Sequence, residues 1–417
     1  MAFLSPPVSA IRPFAAVGAR VLLLAALLLA GAVPAMADAA GKRWVAGFWP
    51  TAQKAGISRS VYNSALGNFT PDPDVLAKAG SQAEFVKPLW DYLDSAVSAK
   101  RLENGREALR QYGRQLQQIE QTFGVDRSVV VAIWGMESSY GQILNNDKIV
   151  KGTIRSLATL AYQGGSRAKY GRQQLIAALK ILERGDTDAR HMVGSWAGAM
   201  GHTQFIPTTY QAYAVDFDGD GKRNVWTSEV DALASTANYL AKMGWRHGQT
   251  WGYEVEVPAG FDWRHNDGGK ALTLSQWRKM GLHRVAGRQF PATNDTATLY
   301  APAGAGGPAF LLLHNFKVIK RYNNANAYAL AVGHLADRLR GGGDFVSGWP
   351  RDVRPLAASE RAELQTLLGR RGFYSGSVDG KIGAGTRQAI RQFQASAGNV
   401  PDGYASTGLL QQLRSGR

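Results

Sequence analysis

Large apolar residues recur at helical spacing through much of the chain, and the pattern is strongest in the stretch that begins at Val129. There Val130, Ile133 and Trp134 follow the three- and four-residue spacing that places side chains on one face of a helix. Asp126 precedes the run and is a suitable N-cap, because its carboxylate can accept hydrogen bonds from the first free amides of a helix. The sequence therefore predicts a buried helix that begins after Asp126.

Glu137 falls on the same helix face as these core residues, together with Tyr140. Burial disfavours the charged form of a carboxyl group, so the pKa of Glu137 should rise. A carboxyl group that stays protonated near neutral pH can donate a proton to a leaving group. The alternative is a structural ion pair between Glu137 and an arginine inside the fold, since such pairs also perturb pKa values.

Helical periodicity continues on both sides of this segment, and the predicted fold class is mainly α (α+β), with several antiparallel helices around the Glu137 helix. From 251 the pattern changes to short runs punctuated by Gly and Pro, which predict a small β insertion at about 251–316. Residues 341–355 begin with three glycines and predict a linker. Two apolar helical runs, each followed by an Asp-Gly turn, then predict a small helical domain at 356–417.

Residues 1–37 have the pattern of a secretory signal peptide. Arg12 and Arg20 supply positive charge, residues 21–30 form a short apolar core, and residues 35–37 read Ala-Met-Ala, which fits a cleavage site. The apolar run is too short for a comfortable membrane span; an uncleaved anchor is the alternative. The chain has no cysteine, which excludes disulfides, thiolate chemistry and a lipid-modified cysteine. We therefore expect an exported, soluble, periplasmic protein.

The formal charge of +16 falls by two, to +14, when the leader and its two arginines are removed. A basic exported protein suits an anionic partner. Peptidoglycan, with its lactyl and peptide carboxylates, is such a partner. Nucleic acid is another, although export argues against it. Charge alone does not choose between them, and a diffuse basic surface can serve solubility only.

A glycine-rich segment at 194–207 carries the polar Gln204 beside Phe205 and Ile206. Its glycines let two backbones approach closely or adopt positive φ. A buried amide at this point needs hydrogen-bond partners, and a sugar hydroxyl or an acetamide group would supply them. The alternative is that Gln204 ties two loops of the protein together.

Residues 216–224 match the first half of an EF-hand loop. The closing position holds Thr227 in place of the usual Glu, so the loop would have to extend further to a later carboxylate. The candidate ligands are Asp216, Asp218, Asp220, the backbone carbonyl of Lys222, and Asp231 as the closing ligand. We predict a structural Ca²⁺ site, and a metal-free turn rich in Asp is the alternative.

Five short motifs occur in a fixed order along the chain. They are Glu137-Ser-Ser-Tyr-Gly141, Ala197-Gly-Ala-Met-Gly-x-x-Gln204-Phe-x-Pro207, the loop of Asp216 to Asp220, Ala237-Asn238-Tyr239 and Arg321-Tyr-Asn323. Together they resemble the lytic murein transglycosylase B family over about 44–339, and the segment from about 356 resembles a peptidoglycan-binding domain of the three-helix type. The resemblance implies a lysozyme-like helical catalytic domain at 38–340.

An enzyme of this family cleaves the β-1,4 bond between N-acetylmuramic acid and N-acetylglucosamine without water. The resemblance implies that the muramyl C6 hydroxyl attacks its own anomeric carbon and leaves a 1,6-anhydromuramyl end. One carboxyl group transfers the protons, and by position it is Glu137, first as acid and then as base. Substrate-assisted glycosidases need no second carboxylate, because the muramyl 2-acetamido group can stabilise the developing positive charge.

The same resemblance implies roles for polar and aromatic residues elsewhere in the chain. By position, Ser195 and Asn323 would hold the acetamido group or polarise the transition state. Glycan or peptide subsites would be lined by Gln204, Tyr239 and Arg167. The calcium loop has a structural counterpart in the family, and no organic cofactor is implied.

Two positions depart from the pattern of the family. Many members have an Arg and a Trp shortly after the catalytic Glu, where this chain has Ser139 and Tyr140. The smaller, uncharged Ser139 would alter peptide contacts more than chemistry. Stacking on a sugar should survive with Tyr140, since its ring also presents an apolar face.

Two other functions stay open at the level of sequence. A hydrolytic muramidase would admit water and leave a reducing end, and a non-catalytic scaffold would bind peptidoglycan without cleaving it. The position of Glu137 on an apolar helix face argues against the scaffold. The expected partners are peptidoglycan strands, with other wall-remodelling enzymes as candidates, and we expect neither nucleic-acid binding nor stable membrane insertion.

Overall fold

The computed structural model describes residues 39–415 apart from 81–86, 267 and 292; the leader predicted at 1–37 lies outside the described residues. The first third of the chain is helical, as its apolar periodicity predicts. Its helices are α1 (39–54), α2 (Arg59–Leu66), α3 (Pro73–Gly80), α4 (Leu89–Ala96), α5 (Ala99–Gln111), α6 (Gly113–Phe123) and α7 (Arg127–Ser138).

Four further helices and a short pair of strands continue this region. They are β1 (Lys151–Gly152), α8 (Thr153–Gln163), α9 (Ala168–Arg184), β2 (Val193–Gly194), α10 (Pro207–Tyr213) and α11 (Glu229–Lys242). Strands β1 and β2 pair antiparallel. Helices α8 and α9 pack side by side, and their apolar faces bury a core that includes Leu157, Leu175 and Leu179. This core supports the glycine-rich segment that follows β2.

The predicted β insertion is a five-stranded antiparallel sheet. Its strands are β3 (Gly252–Glu256), β4 (Leu272–Thr273), β5 (His283–Arg284), β6 (Thr296–Tyr300) and β7 (Ala309–Leu312), in the order β4-β6-β7-β3-β5. Alternating and apolar runs at 253–257, 272–274, 296–300 and 310–314 predict four strands, which correspond to β3, β4, β6 and β7. Strand β5 was not predicted, and the prediction is wrong at Leu274. Thr273 and Gln276 form a capping box, so Leu274 is the first residue of helix α12 (Leu274–Lys279).

Five helices complete the chain. They are α13 (His314–Tyr322), α14 (Asn326–Leu339), α15 (Ala358–Arg370), α16 (Ala384–Ser396) and α17 (Thr407–Ser415). The last three bury Leu364, Ile390 and Leu410 against one another and form a small bundle with its own core. The predicted mainly α fold is confirmed, with a three-helix unit at its C-terminal end. None of the described helices has the length and apolarity needed to cross a bilayer.

Helix α7 lies at the centre of the largest core. Its predicted N-cap is confirmed, because Oδ1 of Asp126 accepts a hydrogen bond from the amide of Ser128 at 2.7 Å. Residues 128–135 are all buried, because α5, α6, α11 and α14 pack around the helix. Hydrophobic burial on every side therefore fixes the direction in which the C-terminal turn of α7 points.

Residues 344–349, within the predicted linker, pack against α14 and β3, and we call this segment the strap. The ring of Phe345 stacks on His334 of α14 with centroids 3.9 Å apart. The carboxylate of Glu254, on β3, accepts hydrogen bonds from the amides of Val346 and Ser347 at 2.8 and 2.7 Å. The strap therefore fixes the segment that leads to the C-terminal bundle against both α14 and the sheet.

We predict that Phe345→Ala destabilises the protein by about 1–2 kcal/mol, because the substitution removes a half-buried aromatic ring together with its stacking contact on His334. Thermal unfolding should show this as a melting temperature lower by roughly 2–6 °C. The matched control is Val346→Ala, since Val346 is 59% exposed. Equal melting temperatures for the two variants would contradict a stabilising strap.

Candidate active site

Glu137 lies in the last turn of α7 and is half-buried. Trp134, about one turn earlier, and Ser138, the next residue, are both buried. The chain then turns sharply, because Ser139 and Tyr140 both adopt left-handed backbone conformations with φ of 49° and 59°. Such conformations are costly for residues other than glycine and concentrate at functional sites. The turn ends the helix directly after the carboxyl group and leaves it at the edge of the core.

One neutral hydroxyl holds the carboxyl group of Glu137. The Tyr328 hydroxyl, in the first turn of α14, donates a hydrogen bond to Oε1 of Glu137 at 2.5 Å. Burial raises the pKa of Glu137 to about 7, and the hydrogen bond from Tyr328 opposes that rise. No charged side chain in the described part of the chain contributes to the shift. The alternative of an ion pair with an arginine is therefore wrong, and Glu137 titrates near neutral pH.

Three tyrosines lie near the carboxyl group. Besides Tyr328 they are Tyr92 on α4 and Tyr322 at the end of α13; burial raises the pKa values of both, and the charge of Glu137 raises them further. The Tyr322 hydroxyl donates to the carbonyl of Thr203 at 2.6 Å and so joins α13 to the glycine-rich segment. Sequence reasoning missed Tyr92 and Tyr328 as site residues, whereas Tyr322 lies inside a motif that it singled out.

The glycine-rich segment folds back on itself beside these tyrosines. Backbone bridges link Gly194 to Met200 and Met200 to Phe205. A Cβ atom at Gly194 would overlap the carbonyl oxygen of Ala199, so only glycine fits there. Gln204 has a left-handed φ of 51°, and its Nε2 donates to the carbonyl of Gly201 at 2.9 Å. The structure thus supplies an internal partner for the NH₂ group of Gln204.

Tyr239 and Asn323 lie on the α13 side of this segment. The ring of Tyr239 contacts those of Phe205 and Tyr322, with centroids 5.7 and 5.2 Å apart. Its hydroxyl donates to the carbonyl of Arg321 at 2.5 Å. Asn323 directly follows α13 and is exposed. The structure therefore brings Gln204, Tyr239 and Asn323 together around Tyr322, the residue beside Glu137.

Ser195 and Arg167 lie at the other end of the segment. Oγ of Ser195 accepts a hydrogen bond from the amide of Ala199 at 3.1 Å. The guanidinium of Arg167 lies over the ring of Trp196, 5.1 Å from its centroid. Ser195 and Arg167 are thus neighbours through Trp196. Whether either touches a ligand stays a prediction.

Tyr140 points into the protein. Its hydroxyl donates to the carbonyl of Arg101 on α5 at 2.9 Å, and its ring meets Trp134 edge to face at 5.5 Å. A Cβ atom at Gly135 would overlap this ring, so the glycine makes room for it. Tyr140 therefore packs between α5 and α7, and its expected stacking on a sugar stays a prediction.

His202 is a buried residue that sequence reasoning did not single out. Its Nδ1 accepts a hydrogen bond from Nε1 of Trp134 on α7 at 2.9 Å, and its amide donates to the carbonyl of Val225. Burial lowers the pKa of His202, which keeps the ring neutral and able to accept. His202 thus connects the central helix to the chain that leaves the acidic loop.

The four aspartates of the predicted metal loop converge. Asp216, Asp218, Asp220 and Asp231 each place a carboxylate oxygen so that all four lie within 4.8 Å of one another. The buried Asp231 also accepts hydrogen bonds from the amides of Phe217 and Asn224, both at 2.8 Å. Hard oxygen ligands grouped in this way suit Ca²⁺. The four carboxylates of the predicted longer loop, Asp231 included, are therefore close enough together to share one cation.

Comparison with known proteins agrees with this architecture. The transglycosylase SLT domain model matches residues 40–337, and the putative peptidoglycan binding domain model matches residues 357–413. The chain belongs to the transglycosylase SLT domain family. The predicted resemblance to lytic murein transglycosylases is confirmed. This chain is 30% identical over 280 residues to the membrane-bound lytic murein transglycosylase B of Escherichia coli (strain K12). The match covers 66% of this chain and 72% of the relative.

Solved structures resemble this fold over most of the chain. SltB3 from Pseudomonas aeruginosa, in complex with NAG-anhNAM-pentapeptide, has a TM-score of 0.82 and 49% identity, covering 90% of this chain and 99% of that one. Slt35 from Escherichia coli, in complex with calcium, has a TM-score of 0.60 and 29% identity, covering 73% of this chain and 93% of that one. The lysozyme-like helical fold predicted for the enzyme is therefore confirmed.

We predict that Glu137→Gln changes the pH dependence of stability. A carboxyl group whose pKa rises from 4.5 to about 7 on folding binds its proton more tightly in the native state. The free energy of unfolding of the wild type therefore falls as pH rises from about 4.5 to 7. The glutamine variant does not titrate at this position, so its free energy of unfolding lacks this decrease. Relative to wild type, the variant should gain about 3 kcal/mol between pH 4.5 and pH 8.

Chemical denaturation at the two pH values measures this difference. The matched control is Glu256→Gln, which neutralises an exposed glutamate on β3. An equal gain in the free energy of unfolding for the control variant, or no gain for Glu137→Gln, would contradict a raised pKa of Glu137.

Proposed function

We propose that the protein is a lytic transglycosylase that cleaves the β-1,4 bond between N-acetylmuramic acid and N-acetylglucosamine in peptidoglycan and leaves 1,6-anhydromuramyl ends. The observation that carries the proposal is a single carboxyl group with a pKa of about 7, held by a neutral tyrosine. Near neutral pH such a group exists in both protonation states, so Glu137 can act first as acid and then as base.

In the first step Glu137 is protonated and donates to the glycosidic oxygen. Because Oε1 accepts the hydrogen bond from Tyr328, Oε1 is the unprotonated oxygen of the carboxylic acid. The proton that is transferred is therefore on Oε2. The hydrogen bond also keeps the carboxyl plane fixed while its proton leaves. The positive charge that develops at the muramyl ring is stabilised by the substrate's own acetamido group, as in other substrate-assisted glycosidases.

In the second step the carboxylate of Glu137 takes the proton of the C6 hydroxyl, which attacks the anomeric carbon. Two-carboxylate glycosidases place the second group roughly 5–10 Å from the acid. A carboxylate at that distance would raise the pKa of Glu137 by repulsion, and the described residues contribute no such effect. This supports a mechanism in which one group makes both proton transfers.

The substrate contacts belong to the same proposal. Ser195 Oγ already accepts the amide of Ala199, which leaves its hydroxyl hydrogen to donate to the acetamido carbonyl. The exposed Asn323 would bind the same group from the opposite side. Gln204, Tyr239 and Arg167 would line glycan and peptide subsites, where hydrogen bonds aimed at developing charge change rates by about 10²-fold each.

The distinguishing test is the chemical form of the product. Wild-type protein should release muropeptides from purified sacculi that end in anhydromuramic acid, lighter by one water than hydrolytic products, as mass spectrometry would show. Glu137→Gln should release none and still sediment with sacculi. Glu103→Gln, a change at an exposed surface ion pair, should match wild type. Reducing muramic acid ends would instead identify a hydrolytic muramidase, and binding without release by wild type would identify a scaffold.

We also propose that the aspartate loop holds a structural Ca²⁺. Asp216, Asp218, Asp220, Asp231 and the carbonyl of Lys222 would supply the ligands. Support comes from the convergence of four carboxylates and from the related Slt35 structure in complex with calcium. The loop joins α10 to α11, so the ion would stabilise chain segments behind the glycine-rich segment.

Ca²⁺ should raise the melting temperature. At a concentration 100 times the dissociation constant the gain is about 2.7 kcal/mol, or roughly 5–10 °C for a region of this size. Differential scanning calorimetry with Ca²⁺ against a chelator measures the shift. Asp220→Asn should reduce it, whereas Asp147→Asn, at an exposed position outside the loop, should not. Equal melting temperatures with Ca²⁺ and with chelator would identify a metal-free turn.

The proposed place of action is the periplasm, where peptidoglycan is found. The leader pattern at 1–37 and the match of 357–413 to a putative peptidoglycan binding domain support it. Other wall-remodelling enzymes are proposed as partners only on the basis of this shared substrate.

A further inference from the structure

The turn that follows Glu137 has a costly backbone. Ser139, Tyr140 and Gly141 come directly after α7, and all three adopt left-handed conformations, with φ of 49°, 59° and 82°. Glycine adopts such a conformation at little cost, but other residues keep it only where surrounding contacts hold them in place. The position of the carboxyl group therefore depends on what packs against this turn.

Helices α5 and α7 support the turn in part. Oγ of Ser138 accepts a hydrogen bond from the amide of Gly141 at 3.1 Å. The hydroxyl of Tyr140 donates to the carbonyl of Arg101 on α5 at 2.9 Å. These contacts fix the turn to its own helix and to a neighbouring one. They do not fix it to the glycine-rich segment, where Ser195 and other proposed substrate contacts lie.

His202 contacts the turn from the glycine-rich segment. The residue is 6% exposed, and its Nδ1 accepts a hydrogen bond from Nε1 of Trp134 at 2.9 Å. The same ring lies against the backbone beyond Glu137, since a Cβ atom at Gly141 would overlap Cε1 and Nδ1 of His202. His202 therefore contacts the chain three residues before the carboxyl group and four residues after it.

The hydrogen bond from Trp134 requires a neutral imidazole, because a protonated ring has no lone pair with which to accept. Burial lowers the pKa of His202, and the opposing effect of Glu229 is smaller. Nδ1 is then the unprotonated nitrogen, and Nε2 carries the proton. Trp134 is itself 6% exposed. Loss of the acceptor would therefore leave a buried N–H group without a partner, which is costly.

The backbone around His202 is held on both sides. The amide of His202 donates to the carbonyl of Val225 at 2.9 Å. Gly201 lies so close to the same carbonyl that a Cβ atom there would overlap its oxygen. The carbonyl of Thr203 accepts a hydrogen bond from the hydroxyl of Tyr322 at 2.6 Å. The ring of His202 is thus presented to α7 from a fixed backbone.

We propose that His202 is a positioning residue that fixes the distance between the carboxyl group of Glu137 and a sugar bound by the glycine-rich segment. The inference rests on the proposed function, because the distance matters only if the protein cleaves glycan. A misplacement of about 1 Å can cost roughly 10²-fold in rate. Without the contact from His202, Glu137 would protonate the glycosidic oxygen less efficiently, while the sugar would bind as before.

The test measures kcat and KM on soluble glycan strands for variants of the full chain. His202→Phe keeps an aromatic ring and removes the acceptor, so kcat should fall about tenfold with KM unchanged. Trp134→Phe removes the donor of the same bond and should lower kcat to a similar extent. His202→Asn can return an acceptor oxygen near the position of Nδ1 and should recover most of the lost kcat.

The matched control is Trp277→Phe. It removes a buried indole hydrogen bond to the carbonyl of Ala297, at 3.0 Å, in the β insertion. This variant loses the same kind of bond at a site without contact to α7, so kcat and KM should both stay at their wild-type values.

A second readout does not depend on catalysis. Movement of the carboxyl group into water would return the pKa of Glu137 towards the ordinary value of a glutamate. The gain in the free energy of unfolding on Glu137→Gln, between pH 4.5 and pH 8, should therefore fall to about half or less in a His202→Phe background. In a Trp277→Phe background the gain should keep its wild-type size.

A fall in kcat that His202→Asn does not recover, an equal fall in the Trp277→Phe control, or a rise in KM at unchanged kcat would overturn the proposal. A gain of full size in the His202→Phe background would overturn it as well. Absence of cleavage by the wild type would count against the proposed function, and chemical denaturation would then decide the role of His202.

Discussion

The hydrogen bond from Tyr328 to Glu137 determines how the site works, because among the described residues it is the only polar contact that opposes the effect of burial on the carboxyl group. Burial alone would push the pKa of Glu137 further up and make the group a poor base. A charged partner such as an arginine would lower the pKa and make it a poor acid. A neutral hydroxyl leaves the pKa near 7, where one carboxyl group can serve both steps.

The same hydrogen bond belongs to a pair of contacts that join α7 and α14 at both ends. Asp126, which caps the start of α7, pairs with Arg340 at the end of α14 at 2.6 Å. Glu137 at the end of α7 meets Tyr328 at the start of α14. Apolar packing between the two helices fixes their separation, and the two polar contacts fix their register. The carboxyl group is thus positioned by a rigid helix pair.

Beyond the central helices, three separate contacts hold the segments around the site in place. His202 connects α7 to the end of the aspartate loop, Tyr322 connects α13 to the glycine-rich segment, and the strap connects α14 and the sheet to the C-terminal bundle. The bundle is therefore held against the catalytic region at the strap and again at Asp402. Between the two regions lies a cavity of about 620 Å³.

Local spacing in the sequence determined α7, its Asp126 cap, the unusual carboxyl group on its apolar face and the cluster of Asp216, Asp218 and Asp220, because these features depend on residues within one or two turns of each other. Tertiary structure alone decided the rest. Tyr328 lies 191 residues from Glu137, the strap packs although the three glycines before it predict a linker, and Tyr140 turns inward to Arg101 on α5. Each depends on contacts between distant parts of the chain, and helical periodicity carries no information about which distant surfaces meet.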